Sequence, residues 1–200
     1  DGSDVGVCGG IRLQDSVVCV VVSSLDVREI IDSMSGMSFT SRDTANAARI
    51  FNEMISDKNC SIFLTLAGST SAAGCMKLYS DLVKYNMVDA IVATGASIID
   101  MDFFEAIGFK HYQGSQFQDD TELRNNYIDR IYDTYIDEDE LQACDKAICE
   151  IANTLEPKTY TSREFIKEIG KYLKKNAKKK NSLIETAYDN NVPIFCPAFT

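Results

Sequence analysis

Ser61-Ile-Phe-Leu-Thr-Leu-Ala-Gly-Ser-Thr-Ser-Ala-Ala-Gly74 and, further along, Val88-Asp-Ala-Ile-Val-Ala-Thr-Gly-Ala-Ser97 decide the fold. In each, an apolar run rich in β-branched residues breaks into small residues, and the small residues open a helix. An open α/β sheet presents backbone N–H groups to a phosphate-bearing ligand in this way. Two such turns close in sequence predict one dinucleotide site at a shared sheet edge.

Working outward, Cys60–Leu66 and Val88–Ala93 read as buried strands, and Val192–Phe195 as a third. Ala72–Tyr85 reads as a helix with Met76, Leu78, Tyr79, Leu82 and Val83 turned inward. Val27–Met34 and Ser41–Met54 read as helices, the second capped by Thr40 or Ser41, with Ala45, Ala48, Ile50, Phe51 and Met54 on one face. Asp100–Ile107 is a short helix. Glu138–Leu155 is helical, with Leu141, Ala147, Ile148 and Ile151 apolar, and Pro157 stops it. Thr161–Leu173 and Ser182–Asn190 complete the helices. Gly108–Asp137, aromatic and acidic, gives no clear reading. The order predicts an α/β protein with a three-layer, Rossmann-like, largely parallel sheet. That sheet is incomplete, because the chain stops at Thr200, where a ligand-binding loop should begin.

Apolar residues make up 45% and charged residues 25% of the 200, an ordinary globular balance. A formal net charge of −10 argues against a general nucleic-acid binder and suits a cationic partner such as a polyamine. The seven cysteines are scattered, form no CxxC and have no histidine near enough to complete a zinc site. They read as buried free thiols of a reducing compartment, which places the protein in the cytoplasm. Val17-Val-Cys-Val-Val-Val22 reads as a strand; it is too short to span a bilayer and has no signal-peptide flank.

The candidate residues each carry two readings. Gly68-Ser-Thr-Ser71 lacks the P-loop lysine and the GxGxxG spacing; it either cradles a phosphate or lets a helix start close to a strand. Asp100 and Asp102 can hold a ribose hydroxyl or a cationic amine; the alternative is an ordinary helix N-cap, which Asp100 suits. His111, the single histidine, is a catalytic base or a hydrogen-bonded loop residue. The basic run Lys171–Lys180 solvates a helix C-terminus or docks an acidic partner, and Asp137-Glu-Asp-Glu140 is a charged helix start.

From Val27 to Thr200 the chain resembles the first half of deoxyhypusine synthase, in its archaeal and bacterial-type members. The motifs are Phe63-Leu-Thr-Leu-Ala-Gly68, Asn86-Met-Val-Asp89, Ile91-Val-Ala-Thr-Gly-Ala96, Phe109-Lys-His-Tyr-Gln-Gly-Ser115, Arg130-Ile-Tyr-Asp-Thr-Tyr135 and Val192-Pro-Ile-Phe-Cys-Pro-Ala-Phe-Thr200. The resemblance implies a cytoplasmic homotetramer with active sites across a dimer interface. Family members use NAD to oxidise spermidine and pass its aminobutyl group, through an enzyme lysine, to a lysine of the hypusine-carrying translation factor. By position, Gly68, Ser69, Thr70, Ser71 and Ala72 match the first NAD-binding stretch, and Thr94, Gly95 and Ala96 the second. Asp100 falls at an acidic residue near both NAD and the polyamine. Ile99 replaces a second glutamate of the eukaryotic enzymes, which leaves the choice of polyamine open.

The family continues beyond the Pro-Ala-Phe-Thr strand end with an acidic loop, a histidine, a Trp-Gly-Lys-type segment and the nucleophilic lysine. This chain carries none of these, so it has no catalytic residue of its own and is expected to be inactive alone. Asp1-Gly-Ser-Asp-Val-Gly has a faint likeness to the loop before that lysine, but Cys8-Gly-Gly-Ile-Arg is not its continuation, and residues 1–26 stay unassigned. The domain read from the sequence is therefore 27–200. The rival readings are a catalytically dead paralogue that activates a full-length subunit, an enzyme acting on another polyamine, and a generic NAD-linked oxidoreductase domain. Co-purification with a complete homologue would mark the first, and reduction of NAD by a non-polyamine substrate the last.

Overall fold

The computed structural model describes residues 7–8, 11–12, 27–197 and 199. The strand read at Val17–Val22 lies outside the described residues. The chain divides into two compact units, Asp1–Cys60 and Ser61–Thr200. The first contains a two-residue antiparallel ladder, β1 (Val7–Cys8) with β2 (Ile11–Arg12). Helix α1 (Val27–Ser33) passes through a 3-10 turn (Met34–Gly36) toward α2 (Phe39–Ser56). Ser38, not Thr40 or Ser41, stands at the N-cap position of α2. Ala45 is buried and Phe51 and Met54 half-buried, whereas Ala48 and Ile50 face outward. At 100° per residue Ile50 lies about 140° round the helix from Ala45, too far to share its face.

The second unit is built on a parallel sheet ordered β3-β4-β8: β3 (Phe63–Leu66), β4 (Ala90–Ala93) and β8 (Ile194–Phe195). The three-layer α/β reading holds here, with all three strands parallel and helices connecting them. Ala90, Ile91 and Ala93 are buried, as a central strand covered on both faces requires. β3 departs from its expected burial. It lies at an edge, and its alternation leaves Phe63 60% exposed while Leu66 is 6%.

Between β3 and β4 the chain makes a widened helical turn (Ser71–Cys75) and then α3 (Met76–Lys84). Ser80 and Val83 form the buried line of α3; Leu78, expected inside, is 59% exposed because two residues from Ser80 is the opposite side. After β4 comes one continuous helical stretch: α4 (Gly95–Ser97), a widened turn (Ile98–Phe103) and α5 (Phe104–Ala106). This helix starts at Gly95, five residues before the expected Asp100.

The unread stretch Gly108–Asp137 is a second, antiparallel sheet. Its strands β5 (Tyr112–Gln113), β6 (Ile128–Ile131) and β7 (Thr134–Asp137) are ordered β5-β7-β6, and α6 (Asp120–Asn125) precedes the β6–β7 hairpin. Here two motifs of the sequence meet. The Tyr135 hydroxyl donates to the Ser115 C=O and accepts the Ser115 N–H, both at 3.0 Å. A Cβ on Gly114 would lie 2.3 Å from the Tyr135 ring, so only glycine fits beneath it.

Three long helices follow. In α7 (Glu138–Asn153) Cys144 and Ile151 are buried and the Asp137 carboxylate accepts the Glu140 N–H. Thr161 and Glu164 form a reciprocal capping box at the start of α8 (Ser162–Asn176). At the end of α8 the Lys180 ammonium donates to the carbonyls of Leu173 (3.3 Å) and Lys174 (3.1 Å), so part of the basic run serves a helix C-terminus. α9 (Leu183–Asn190) packs on α3 and α8.

Candidate functional site

Because β3 and β4 pair in parallel, Leu66 opposite Ala93, the residues after both strands emerge at one edge of the sheet. Gly68 turns the chain there with φ 66°, a left-handed conformation that glycine adopts without strain, and open space lies where a Cβ would point. The Tyr79 hydroxyl, from α3, donates to Thr70 Oγ1 at 2.8 Å and fastens the turn. In the second turn Thr94 is the N-cap: its hydroxyl accepts the Ser97 N–H at 3.4 Å, and the helix opens at Gly95. The first N–H groups of that helix have no partner within it.

Two hydrogen bonds join the turns. Ser97 Oγ donates to the Gly68 C=O at 2.6 Å, and Ser71 Oγ to the Ser97 C=O at 3.4 Å. Ser71 and Ser97 are both buried. Ser69, Thr70 and Ala72 are at least partly exposed beside them.

Next to the second turn lies a cleft of about 560 Å³. Thr94, Gly95, Ala96 and Asp100 line it from one side, and Asp145, Ile148 and Cys149 of α7 from another; Ile99 and Phe199 add apolar wall. Gly68–Ala72 border the same sheet edge without lining this cleft. The Asp100 carboxyl is pushed above its ordinary range, first by burial and then by the charge of Asp145. The same two carboxylates, after burial, push the Cys144 thiol to about 12, and its Sγ lies 3.6 Å from the Ile99 C=O. Cys144 is therefore an inert packing residue. Cys196 is also buried, as the reading of buried thiols expects, whereas Cys60 and Cys75 are half-buried and Cys149 is exposed.

Asp102 and His111 lie away from the cleft lining. Asp102 is buried and accepts the N–H groups of Leu183 and Ile184, each at 2.7 Å, so it caps α9, which packs against its own helical stretch. His111 Nδ1 lies 2.9 Å from Glu105 Oε1, and the Lys179 ammonium reaches Oε2 of the same carboxylate. Sequence reading missed Asp145 and the role of Ser97. The signal for Asp145 was available: Cys144, Ile148 and Ile151 mark the inner face of α7, and Asp145 lies at the rim of that face.

A sequence profile of deoxyhypusine synthase matches residues 29–200. The chain belongs to the deoxyhypusine synthase family. It is 66% identical over 189 residues to a deoxyhypusine synthase-like protein of Coxiella burnetii (strain RSA 493 / Nine Mile phase I), covering 94% of this chain and 54% of that one. A deoxyhypusine synthase-like protein of Caulobacter vibrioides is 66% identical over 188 residues, covering 94% and 51%. One from Chlorobaculum tepidum is 51% identical, covering 94% and 54%. The chain thus spans about half the length of these deoxyhypusine synthase-like relatives. A crystal structure from Entamoeba histolytica, assigned as a deoxyhypusine synthase, superposes with a TM-score of 0.62 at 19% identity, over 87% of this chain and 59% of that one. That likeness carries the fold alone. Among the described residues, no helix is long and apolar enough to cross a membrane.

Proposed function

We propose that this chain forms the cofactor-holding half of a deoxyhypusine synthase-type transferase, which uses NAD and moves the aminobutyl group of spermidine to a lysine of the hypusine-carrying translation factor. The observation that carries this reading is the joining of Gly68–Ala72 to Thr94–Ala96 at the ends of two parallel strands, with Asp100 in the adjoining cleft. The residues present fit a dinucleotide. An open left-handed glycine lets backbone approach the ligand, and the Gly95 and Ala96 amides open a helix beside it.

In this reading the amides of Ser69, Gly95 and Ala96 hold the phosphates and Thr94 fixes the start of the second turn. Asp100 accepts a ribose hydroxyl or the substrate ammonium. The chemistry that bound NAD would supply here is acceptance of a hydride from the carbon beside the amine nitrogen. The apolar walls at Ile99, Ile148 and Phe199 suit a methylene chain and exclude water from it, while Asp100 and Asp145 suit its cationic nitrogens. The profile match over 29–200 supports taking residues 27–200 as one family domain, and the family resemblance implies a cytoplasmic homotetramer. A different polyamine is the second reading, favoured by the buried, apolar Ile99.

The test is release of 1,3-diaminopropane from spermidine and NAD. The 200-residue chain alone is expected to give none, and to turn over only when the segment bearing the family's lysine is supplied. No release from the complete protein with spermidine or any related polyamine defeats the reading. Stable co-purification with a complete homologue, without activity, points instead to a dead, activating paralogue.

A further inference from the structure

Both hydrogen bonds that join the two turns among the described residues run to Ser97, which is fully buried. Its N–H is held by Thr94 Oγ1 at 3.4 Å, its C=O accepts Ser71 Oγ at 3.4 Å, and its own hydroxyl donates to the Gly68 C=O at 2.6 Å. The last bond fixes a direction as well as a distance. A trans peptide points its C=O and N–H opposite ways. With the Gly68 carbonyl drawn onto Ser97, the N–H of Ser69 faces away from it. Among the described residues that N–H has no backbone partner. Gly68, at φ 66° and without a side chain, restrains this peptide weakly, and the Ser97 hydroxyl supplies an anchor for it.

We propose that Ser97 is a positioning residue of the cofactor site: by anchoring the Gly68 carbonyl it aims the Ser69 N–H at a phosphate oxygen of the dinucleotide and keeps the first turn in register with Thr94–Ala96. This inference rests on the NAD reading above. Ser97 touches no ligand itself and acts through the peptide it holds.

The experiment measures NAD affinity of the protein by calorimetry for the wild type, Ser97→Ala and Ser80→Ala. Ser80 is a matched control, since its hydroxyl is buried without a hydrogen-bond partner among the described residues. Ser97→Ala is expected to weaken NAD binding about tenfold and, once the segment bearing the family's lysine is supplied, to raise KM for NAD with kcat changing far less, while Ser80→Ala moves neither. The Ser69 amide resonance of the wild type, followed by NMR, is expected to shift when NAD is added. That measurement stands even where Ser97→Ala does not fold. Unchanged affinity in Ser97→Ala, equal weakening in Ser80→Ala, or an unmoved Ser69 amide overturns the role of Ser97 while leaving the cofactor reading intact. Failure of the wild type to bind NAD overturns both.

Discussion

Asp102 accepts the N–H of Leu183 at 2.7 Å, so a carboxylate in the helix after the second turn caps a helix eighty-one residues further along the chain. Its second oxygen takes the Ile184 N–H, and Ser182 Oγ takes that of Glu185. The first amides of α9 are thus satisfied by side chains rather than water.

Asp102→Ala leaves two buried N–H groups without an acceptor, each worth about 1–3 kcal/mol. The expected loss is about 2–4 kcal/mol of folding stability, read as a shift of the urea midpoint. Asp102→Asn keeps one acceptor and should lose less. A loss under about 0.5 kcal/mol for the alanine variant would show that α9 finds other partners.

Stability should peak in mildly acid solution. Full burial raises the Asp102 carboxyl from 3.8 to about 7, against the pull of the Ile184 and Leu183 amides. Between those values the folded state keeps a proton that the unfolded chain has lost, so stability falls as pH rises through the window. Asp129 is raised by its hydrogen bond to Glu138, which is lowered by the same bond, so the pair largely offsets itself. Glu105 acts opposite to Asp102: its hydrogen bond to His111, with Lys179 adding to it, lowers it from 4.5 to about 2. Its contribution is complete above 4.5 and is lost as pH falls toward 2. Urea midpoints measured from pH 3 to 8 should therefore be highest near pH 4–5. A maximum at or above pH 7 would contradict these assignments.

Asp100→Asn should weaken the binding of a cationic amine about tenfold, because it removes one of two carboxylates from the cleft and keeps the shape. Calorimetry with spermidine at low and high salt reads the effect. The wild-type affinity should fall with salt more steeply than that of the variant. Equal affinities would remove Asp100 from the amine site.

The two strand-to-turn stretches were legible because parallel strands and helix starts leave local signatures: β-branched runs, then small residues. So were the helix starts at Thr161 and Ser182, which the structure shows to be N-caps with a glutamate three residues on. The β6–β7 hairpin was not. Its turn places Tyr132 at φ 57°, where the sequence offers no glycine or asparagine to mark it, and its flanks are charged. The edge position of β3 was also hidden, because an apolar run says nothing about how many neighbours it has. The cleft itself depends on α7, whose Asp145 is distant in sequence from Asp100 and meets it only through folding. The helix-cap reading fitted Asp100 in the sequence, whereas the structure gives the capping role to Asp102, on a helix distant in sequence.

We propose that Gly68–Ala72 and Thr94–Ala96 form one NAD site. Hydrogen exchange with and without NAD tests it most directly, read peptide by peptide by mass spectrometry. Slowed exchange is expected in both stretches together, at the same NAD concentration. Protection confined to one stretch, or appearing only elsewhere in the chain, would contradict it.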